Sequence, residues 1–213
     1  MQTRFLLVRH ATCERIEEVL FGRTLDVPLD ANGRRQAWAV AELLRREAPL
    51  RVESSPRRRT IETGRAIAKA ACCELEIAPL LDELDFGDWS GRTFADLECE
   101  AGWRRWNHDR DRARTPAGVD IRSVQQTVSG YLASLAGRCT GATLVLVTHA
   151  EIIRSTILQC IGAPASGYRD VTVDPASVTR VALDDRGMRL EAANEHAPSR
   201  RTASTAVARE ATP

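Results

Sequence analysis

The sequence of 213 residues lacks several features that mark particular classes of protein. Lys69 is the single lysine among 30 basic residues, which argues against a lysine Schiff base or a P-loop, since each needs a placed lysine. No apolar stretch approaches the ~20 residues that span a bilayer, and residues 5–8 are too short a run for a secretory signal. The net charge of +1 steers the protein toward neither nucleic acid nor an anionic membrane. We therefore expect a cytoplasmic protein without nucleic-acid or membrane partners.

The cysteines argue against a zinc site and against a disulfide framework. None of the 6 cysteines forms a Cys-x-x-Cys pair, and their spread fits neither a zinc site nor a disulfide framework. We expect reduced thiols, no metal and no cofactor. Cys13 follows His10 closely, and we interpret it as a small packing residue rather than a site residue.

Strand and helix patterns alternate along the chain. The predicted strands are residues 5–8, 51–54, 75–77, 143–147, 177–183 and 188–193. Helical patterns follow four of them, beginning near Asp30, Ser55, Asp120 and His149. Ser55 is the predicted N-cap of the second helix and Pro56 its first residue. Because such alternation is typical of a parallel sheet covered on both faces, we predict a three-layer α/β/α fold with a mostly parallel central sheet.

The chain is predicted to form one domain over residues 1–196. A segment of different composition, about residues 85–116, carries tryptophans among many charges and predicts a small helical lid insertion. Within it, Trp103-Arg104-Arg105-Trp106 either covers a leaving group or divides between core and solvated surface, and both interpretations stay open. Residues 197–213 have almost no large apolar side chain, so we expect a disordered tail.

Two predicted strands lead directly into histidine. The apolar run 5–8 continues into Arg9 and His10, and the run 143–147 leads to His149. Ligands of open α/β sheets bind outside the carboxyl ends of the strands, so we expect these side chains to meet in one crevice. A neutral imidazole can attack phosphorus and a guanidinium grips phosphate oxygens, which favours phosphate chemistry. A single histidine at a strand end would more often be a satisfied core residue.

Four motifs strengthen that interpretation. They are Leu-Val-Arg-His-Ala-Thr (7–12), Ser-Ser-Pro-Arg-Arg-Arg-Thr-Ile-Glu-Thr (54–63), Asp-Glu-Leu-Asp-Phe-Gly-Asp-Trp-Ser-Gly (82–91) and Val-Thr-His-Ala (147–150). In this order the chain resembles the histidine phosphatase superfamily, which has the phosphoglycerate mutase-like fold, over most of residues 4–183. The resemblance implies phosphoryl transfer through a phosphohistidine. In that scheme His10 is the nucleophile, Arg9 binds the phosphoryl group, and His149 donates a hydrogen bond to it.

The second phosphate-binding arginine is assigned by register. The family pattern places it four residues before the threonine, here Thr63, which selects Arg59 from three adjacent arginines. With Ser55 as the cap, position 59 would lie one turn into the helix, near its positive end. Arg57 and Arg58 are then expected at the rim or in solvent.

The general acid is assigned in the same way. Four carboxylates lie close together in the third motif, and local sequence alone cannot rank them. The family pattern places the acid four residues before Gly87, which selects Glu83 over Asp82, Asp85 and Asp88. A bound phosphate dianion would raise the pKa of this carboxyl group and keep it protonated.

The substrate is less well defined. Mutases of the family carry an asparagine near the position of Ile16 and a long basic segment after the acid, whereas residues 86–91 resemble the short form of the phosphatase branch, including α-ribazole phosphatase-like members. Ala11 replaces the glycine that usually follows the nucleophile. Arg23 and Thr24 lie in a loop that faces the pocket in relatives, and we expect them to contact substrate.

Three functions stay open. We favour a metal-independent phosphatase that hydrolyses small-molecule phosphomonoesters. The alternatives are a phosphoglycerate mutase-type transfer and a non-catalytic module that binds phosphorylated ligands. A small-molecule phosphate ester is the expected partner. The sequence leaves the oligomeric state open, with a homodimer as one option.

Overall fold

The computed structural model describes residues 1–198, and the strands among them form one sheet. They are β1 (Thr3–Arg9), β2 (Arg51–Ser54), β3 (Leu75–Ile77), β4 (Thr143–Thr148), β5 (Val178–Asp184) and β6 (Gly187–Glu195). Their order is β3-β2-β4-β1-β5-β6. The first four strands in that order are parallel, and β5 and β6 are antiparallel to their neighbours. The predicted mostly parallel sheet is confirmed.

Helices cover both faces of this sheet. They are α1 (Ala31–Leu44), α2 (Arg58–Ala71), α3 (Phe94–Glu98), α4 (Ala101–His108), α5 (Ile121–Arg138) and α6 (Ala150–Cys160). Short 3₁₀ turns occur at 45–47, 79–81, 87–89 and 165–170. Over residues 1–198, no helix is both long and apolar enough to cross a membrane.

The alternation of side chains along β1 creates two separate cores. Phe5 and Leu7 face a cluster that includes α5, α6 and the lid, whereas Leu6 and Val8 face a cluster built with α1 and α2. All four side chains are at most 1 % exposed. This period of two is what a strand buried on both faces requires, and it confirms the three-layer α/β/α fold.

Aspartate caps fix the beginnings of two helices where the sequence placed them. The Asp30 carboxylate accepts from the Gly33 backbone N–H at 2.6 Å, and Asp120 accepts from Ser123 N–H at 2.8 Å. Each carboxylate satisfies a backbone donor that has no partner within the helix.

The predicted start of α2 is wrong. The helix begins at Arg58 rather than Pro56, and its N-cap residue is Arg57, which makes no side-chain cap. The hydroxyl of Ser55 lies 2.8 Å from His149 Nε2. Its distance to the backbone N of Arg57, at the start of the helix, is longer, at 3.4 Å. Ser55 is therefore not the helix cap, because its hydroxyl contacts the second strand-end histidine instead.

The lid insertion is helical, as predicted, and consists of α3, α4 and the turns around them. Trp106 is completely buried in the core and Trp103 is 7 % exposed. Arg104 and Arg105 between them are exposed. Of the predicted disordered tail, residues 199–213 lie outside the described part of the chain.

Candidate active site

A cavity of about 200 Å³ opens at the carboxyl end of β1, where the sequence placed the site. Arg9, His10, Arg59 and Glu83 all contribute to its wall. His149 is fully buried beside them, with its ring centroid 5.4 Å from that of His10. The structure therefore brings together the side chains from the four motifs.

His10 is held as a neutral imidazole. Its Nδ1 lies 2.9 Å from the backbone carbonyl of Ala11, and since a carbonyl oxygen only accepts, Nδ1 carries the hydrogen. Nε2 then keeps its lone pair. Burial, followed by the charges of Arg59 and Arg9, lowers the pKa of His10 well below its usual value. This is the protonation state that a nucleophile needs.

Two guanidinium groups border the cavity with spare donors, that of the buried Arg59 and that of the half-buried Arg9. Arg9 Nη1 donates to the Val173 carbonyl at 2.7 Å, and Arg59 Nη2 donates to the Gly22 carbonyl at 2.9 Å. The Nε atoms of both arginines are buried and have no hydrogen-bond partner among the described residues. Burial is the main cause that lowers the pKa of each. An oxyanion placed between them would satisfy these donors.

His149 belongs to a hydrogen-bonded chain behind the cavity. Its Nδ1 lies 3.3 Å from Arg59 Nη2, which can only donate, so Nδ1 accepts and Nε2 carries the hydrogen. Nε2 donates to Ser55 Oγ at 2.8 Å, and Oγ lies 3.3 Å from Asp82 Oδ1. Burial and then Arg59 lower the pKa of His149. In this tautomer His149 donates to a phosphoryl oxygen only after Nδ1 takes up a proton.

Asp82 and Arg57 anchor that chain. Arg57 donates twice to the Asp82 carboxylate, Nε to Oδ1 at 2.8 Å and Nη2 to Oδ2 at 2.7 Å. Sequence reasoning treated Asp82 as a rival general acid and Arg57 as a rim residue. The contact between them holds Ser55 against His149. It joins two motifs 25 residues apart, so the sequence around either residue does not predict it. Arg58 is exposed and pairs with Glu62, as a solvent-facing residue should.

Glu83 is the carboxyl group of its motif that reaches the cavity. Its Oε1 accepts from the Leu84 backbone N–H at 3.0 Å, and Oε2 lies 3.6 Å from His149 Nδ1. Burial raises the pKa of Glu83 to about 7, against the opposing charge of Arg59. Its rivals lie elsewhere, because Asp85 accepts from the Gly87 backbone N–H and Asp88 is exposed.

The two predicted substrate contacts do not line this cavity. Arg23 Nε donates to the backbone carbonyl of Glu83 at 2.5 Å, and its side chain is 43 % exposed. Thr24 is exposed. Their roles stay predictions, and the same loop contributes Phe21 and Gly22 to the wall instead. Cys13 is buried, and burial raises its pKa to about 12, so its thiol stays protonated.

Sequence reasoning missed the wall opposite the motifs. It is formed by Asn107 of α4, Arg110, Glu151 and Arg154 of α6, and Tyr168. Trp103 of the lid also lines the cavity. These residues lie on separate segments, and no short motif could have joined them. The one available signal was an acidic residue two positions after His149.

Comparison with known proteins decides the family. The model of the histidine phosphatase superfamily (branch 1) matches residues 5–196. The chain belongs to this superfamily. It is an enzyme of the phosphatase class, and the predicted family and fold are confirmed.

Similar proteins span nearly the whole chain. Phosphoserine phosphatase 1 of Hydrogenobacter thermophilus is 29% identical over 86% of this chain and 88% of its own. Probable phosphoglycerate mutase GpmB of Klebsiella pneumoniae is 32% identical over 82% of each chain. The adenosylcobalamin/alpha-ribazole phosphatase of Escherichia coli is 26% identical over 91% of this chain and 97% of its own. A phosphoserine phosphatase from Entamoeba histolytica, solved with 3-phosphoglyceric acid, superimposes with a TM-score of 0.82 at 25% identity, covering 91% and 97% of the two chains.

Proposed function

We propose that residues 1–196 form one catalytic domain that hydrolyses small phosphomonoesters without a metal, through a phosphohistidine at His10. The observation that carries this proposal is the environment of His10 Nε2. The opposite ring nitrogen is tied to a backbone carbonyl, so Nε2 keeps its lone pair beside two arginines whose buried Nε atoms are spare donors. Arg9 and Arg59 supply the positive charge that phosphoryl transfer asks of a protein.

The reaction has two steps. His10 Nε2 attacks phosphorus, the P–O bond to the leaving group breaks, and the departing alkoxide takes the proton of Glu83. A water molecule then attacks the phosphohistidine while the Glu83 carboxylate removes its proton, which releases phosphate and regenerates the starting state. The raised pKa of Glu83, about 7, suits both roles near neutral pH.

The size of the cavity supports a small leaving group. Its volume of about 200 Å³ is below the ~300–1,000 Å³ of typical drug-sized ligand sites. The relative named as a phosphoserine phosphatase makes a compact alkyl phosphate the first ester to test.

A mutase is the second candidate, and the relative named as a phosphoglycerate mutase favours it. A mutase returns the phosphoryl group from His10 to a second hydroxyl instead of to water. Conversion between phosphoglycerate isomers, dependent on added bisphosphoglycerate and without phosphate release, would support this alternative. The non-catalytic module is disfavoured because nucleophile, clamp and acid all border one cavity.

The test is a panel of phosphate esters assayed for phosphate release in EDTA. We expect turnover in EDTA, loss of it in His10→Gln, and a phosphorylated His10 in mass spectra of enzyme denatured during turnover at alkaline pH. His108→Gln, at an exposed position on α4, is the matched control and should retain activity. Full activity of His10→Gln, or turnover that appears only with added metal, would refute the proposal.

A further inference from the structure

The wall opposite the catalytic motifs is built around a buried arginine. Arg110 is 2 % exposed, and its guanidinium carbon lies 3.3 Å from the centroid of the Tyr168 ring and 4.7 Å from that of Trp106. Nη1 pairs with the Glu151 carboxylate and Nη2 donates to Asn107 Oδ1 at 3.3 Å. Its Nε is buried and has no hydrogen-bond partner among residues 1–198. The packing fixes this side chain in place.

The acceptors of this wall are already occupied. Glu151 accepts from Arg110 through one carboxylate oxygen and from Arg154 Nη1, at 3.1 Å, through the other. Burial disfavours its charge, but the two arginines outweigh burial and lower its pKa. Asn107 Oδ1 accepts from the Tyr168 hydroxyl at 2.7 Å as well as from Arg110. The groups of this wall that can still form hydrogen bonds are therefore N–H donors. The wall also has a net positive charge, since it contains two guanidinium groups and one carboxylate.

This wall adjoins the phosphate clamp. Arg9 of the clamp and Arg154 of the wall line the same cavity, and the charge of Arg154 is, after burial, the next cause that lowers the pKa of Arg9. Arg154 keeps 26% of its side chain exposed and lines the cavity. A ligand with two anionic groups joined by a short linker would pair with both arginines.

We propose that Arg154, Arg110 and Asn107 form a subsite for a carboxylate on the leaving group, so that the preferred substrates are phosphate esters of short hydroxy acids. The inference rests on the proposed phosphatase function and adds the substrate class. A carboxylate there would accept from Arg154 and from the Asn107 amide, and it would balance the excess positive charge of the wall. Esters that lack the acid would bind through the phosphoryl group alone.

The test compares two esters that differ only in the carboxylate, O-phosphoserine and O-phosphoethanolamine. A charge-assisted contact predicts that kcat/KM of the wild-type enzyme is about 10-fold to 100-fold higher for phosphoserine. Arg154→Met should abolish that preference with little effect on phosphoethanolamine, whereas Arg154→Lys should retain part of it. Arg105→Met, at an exposed lid position, is the matched control.

A second variant, Asn107→Asp, tests the subsite independently in case Arg154→Met does not fold. Asn107→Asp keeps the shape and the acceptor of Asn107 but places a negative charge in the subsite, so it should lower kcat/KM for phosphoserine and spare phosphoethanolamine. Equal kcat/KM of the wild-type enzyme for both esters would overturn the subsite. An equal loss on both esters in Arg154→Met would also overturn it, since Arg154 would then bind the phosphoryl group.

A third ester separates this proposal from the one on which it rests. Hydrolysis of p-nitrophenyl phosphate reports the phosphatase alone, because this ester carries no carboxylate. Turnover of it without preference between the other two esters overturns the carboxylate subsite and leaves the phosphatase standing. Absence of turnover on all three overturns both.

Discussion

Replacing Glu83 by glutamine is expected to remove the basic limb of the pH–rate profile. Burial raises the pKa of Glu83 to about 7 from an ordinary value of 4.5, although Arg59 opposes the shift. A general acid acts only while protonated, so kcat/KM of the wild-type enzyme should fall as the pH rises above about 7. Glutamine fills the same space but has no proton to transfer to a leaving alkoxide.

The raised pKa of Glu83 also determines how much the free energy of unfolding changes with pH. Each pKa unit corresponds to about 1.4 kcal/mol. The shift from 4.5 to about 7 therefore makes ionisation of Glu83 roughly 3 kcal/mol more costly in the folded protein. Because the folded pKa lies above the unfolded one, this stability is present below pH 4.5 and is lost as the pH rises to about 7. Glutamine does not titrate. Between pH 4.5 and about 7, the free energy of unfolding of the wild-type protein should therefore fall by roughly 3 kcal/mol relative to that of Glu83→Gln.

Two assays follow from this reasoning. The kcat/KM for phosphoserine, which reports the phosphoryl transfer to His10, should drop by about 10²-fold to 10⁴-fold in Glu83→Gln. The loss of kcat/KM should be smaller for p-nitrophenyl phosphate, whose leaving group needs little protonation. Urea unfolding at acidic and neutral pH measures the stability difference. Asp88→Asn, exposed in the same motif, is the control and should change neither result. A basic limb that survives in Glu83→Gln, or equal losses on both esters, would refute the role of Glu83 as the acid.

Three further substitutions test a hydrogen bond of His149 and the packing of two helices. Ser55→Ala should lower kcat by about 10-fold to 100-fold, since a buried N–H left without its acceptor costs ~1–3 kcal/mol, and the ¹⁵N NMR signal of His149 Nε2 should shift as its hydrogen bond is lost while the Nε2–H tautomer stays, because Arg59 still donates to Nδ1; an unchanged spectrum would contradict the hydrogen-bonded chain. Gly33→Ala should destabilise the fold by at least ~1 kcal/mol, because its Cβ would lie 2.0 Å from the Thr12 carbonyl oxygen. Gly130→Ala, which meets open space in α5, should instead stabilise it by ~0.5–1 kcal/mol in thermal unfolding, and equal melting shifts of the same sign would refute the steric argument.

Much of the sheet and of the phosphate site could be predicted because both depend on local patterns. The alternation of Phe5, Leu6, Leu7 and Val8 between two cores needs only the period of a strand. A residue at the carboxyl end of a parallel strand then reaches the ligand crevice by topology, which is why His10 was placed correctly.

The remaining parts of the site depend on contacts between distant segments. Ser55 looked like a helix cap because its sequence neighbours fit one, but the competing partner His149 is 94 residues away. Arg110 and Glu151 pair across 41 residues, and each alone resembles an ordinary surface charge. Tertiary contacts decided both cases against the local preference, and a single sequence does not show such contacts.

Substrate binding should itself complete the catalytic protonation state. The charges of Arg59 and Arg9 lower the pKa of His10. Among the charges that lower the pKa values of His149 and Glu83, that of Arg59 has the largest effect. A phosphate dianion between the arginines offsets their charge, so the pKa values of His149 and Glu83 should rise on binding. His149 Nδ1 would then gain the proton it needs to donate to a phosphoryl oxygen. Because kcat reports the complex and kcat/KM the free enzyme, the basic limb of kcat should lie at higher pH than that of kcat/KM. Superimposable basic limbs in the two profiles would show that the bound phosphate does not shift these groups.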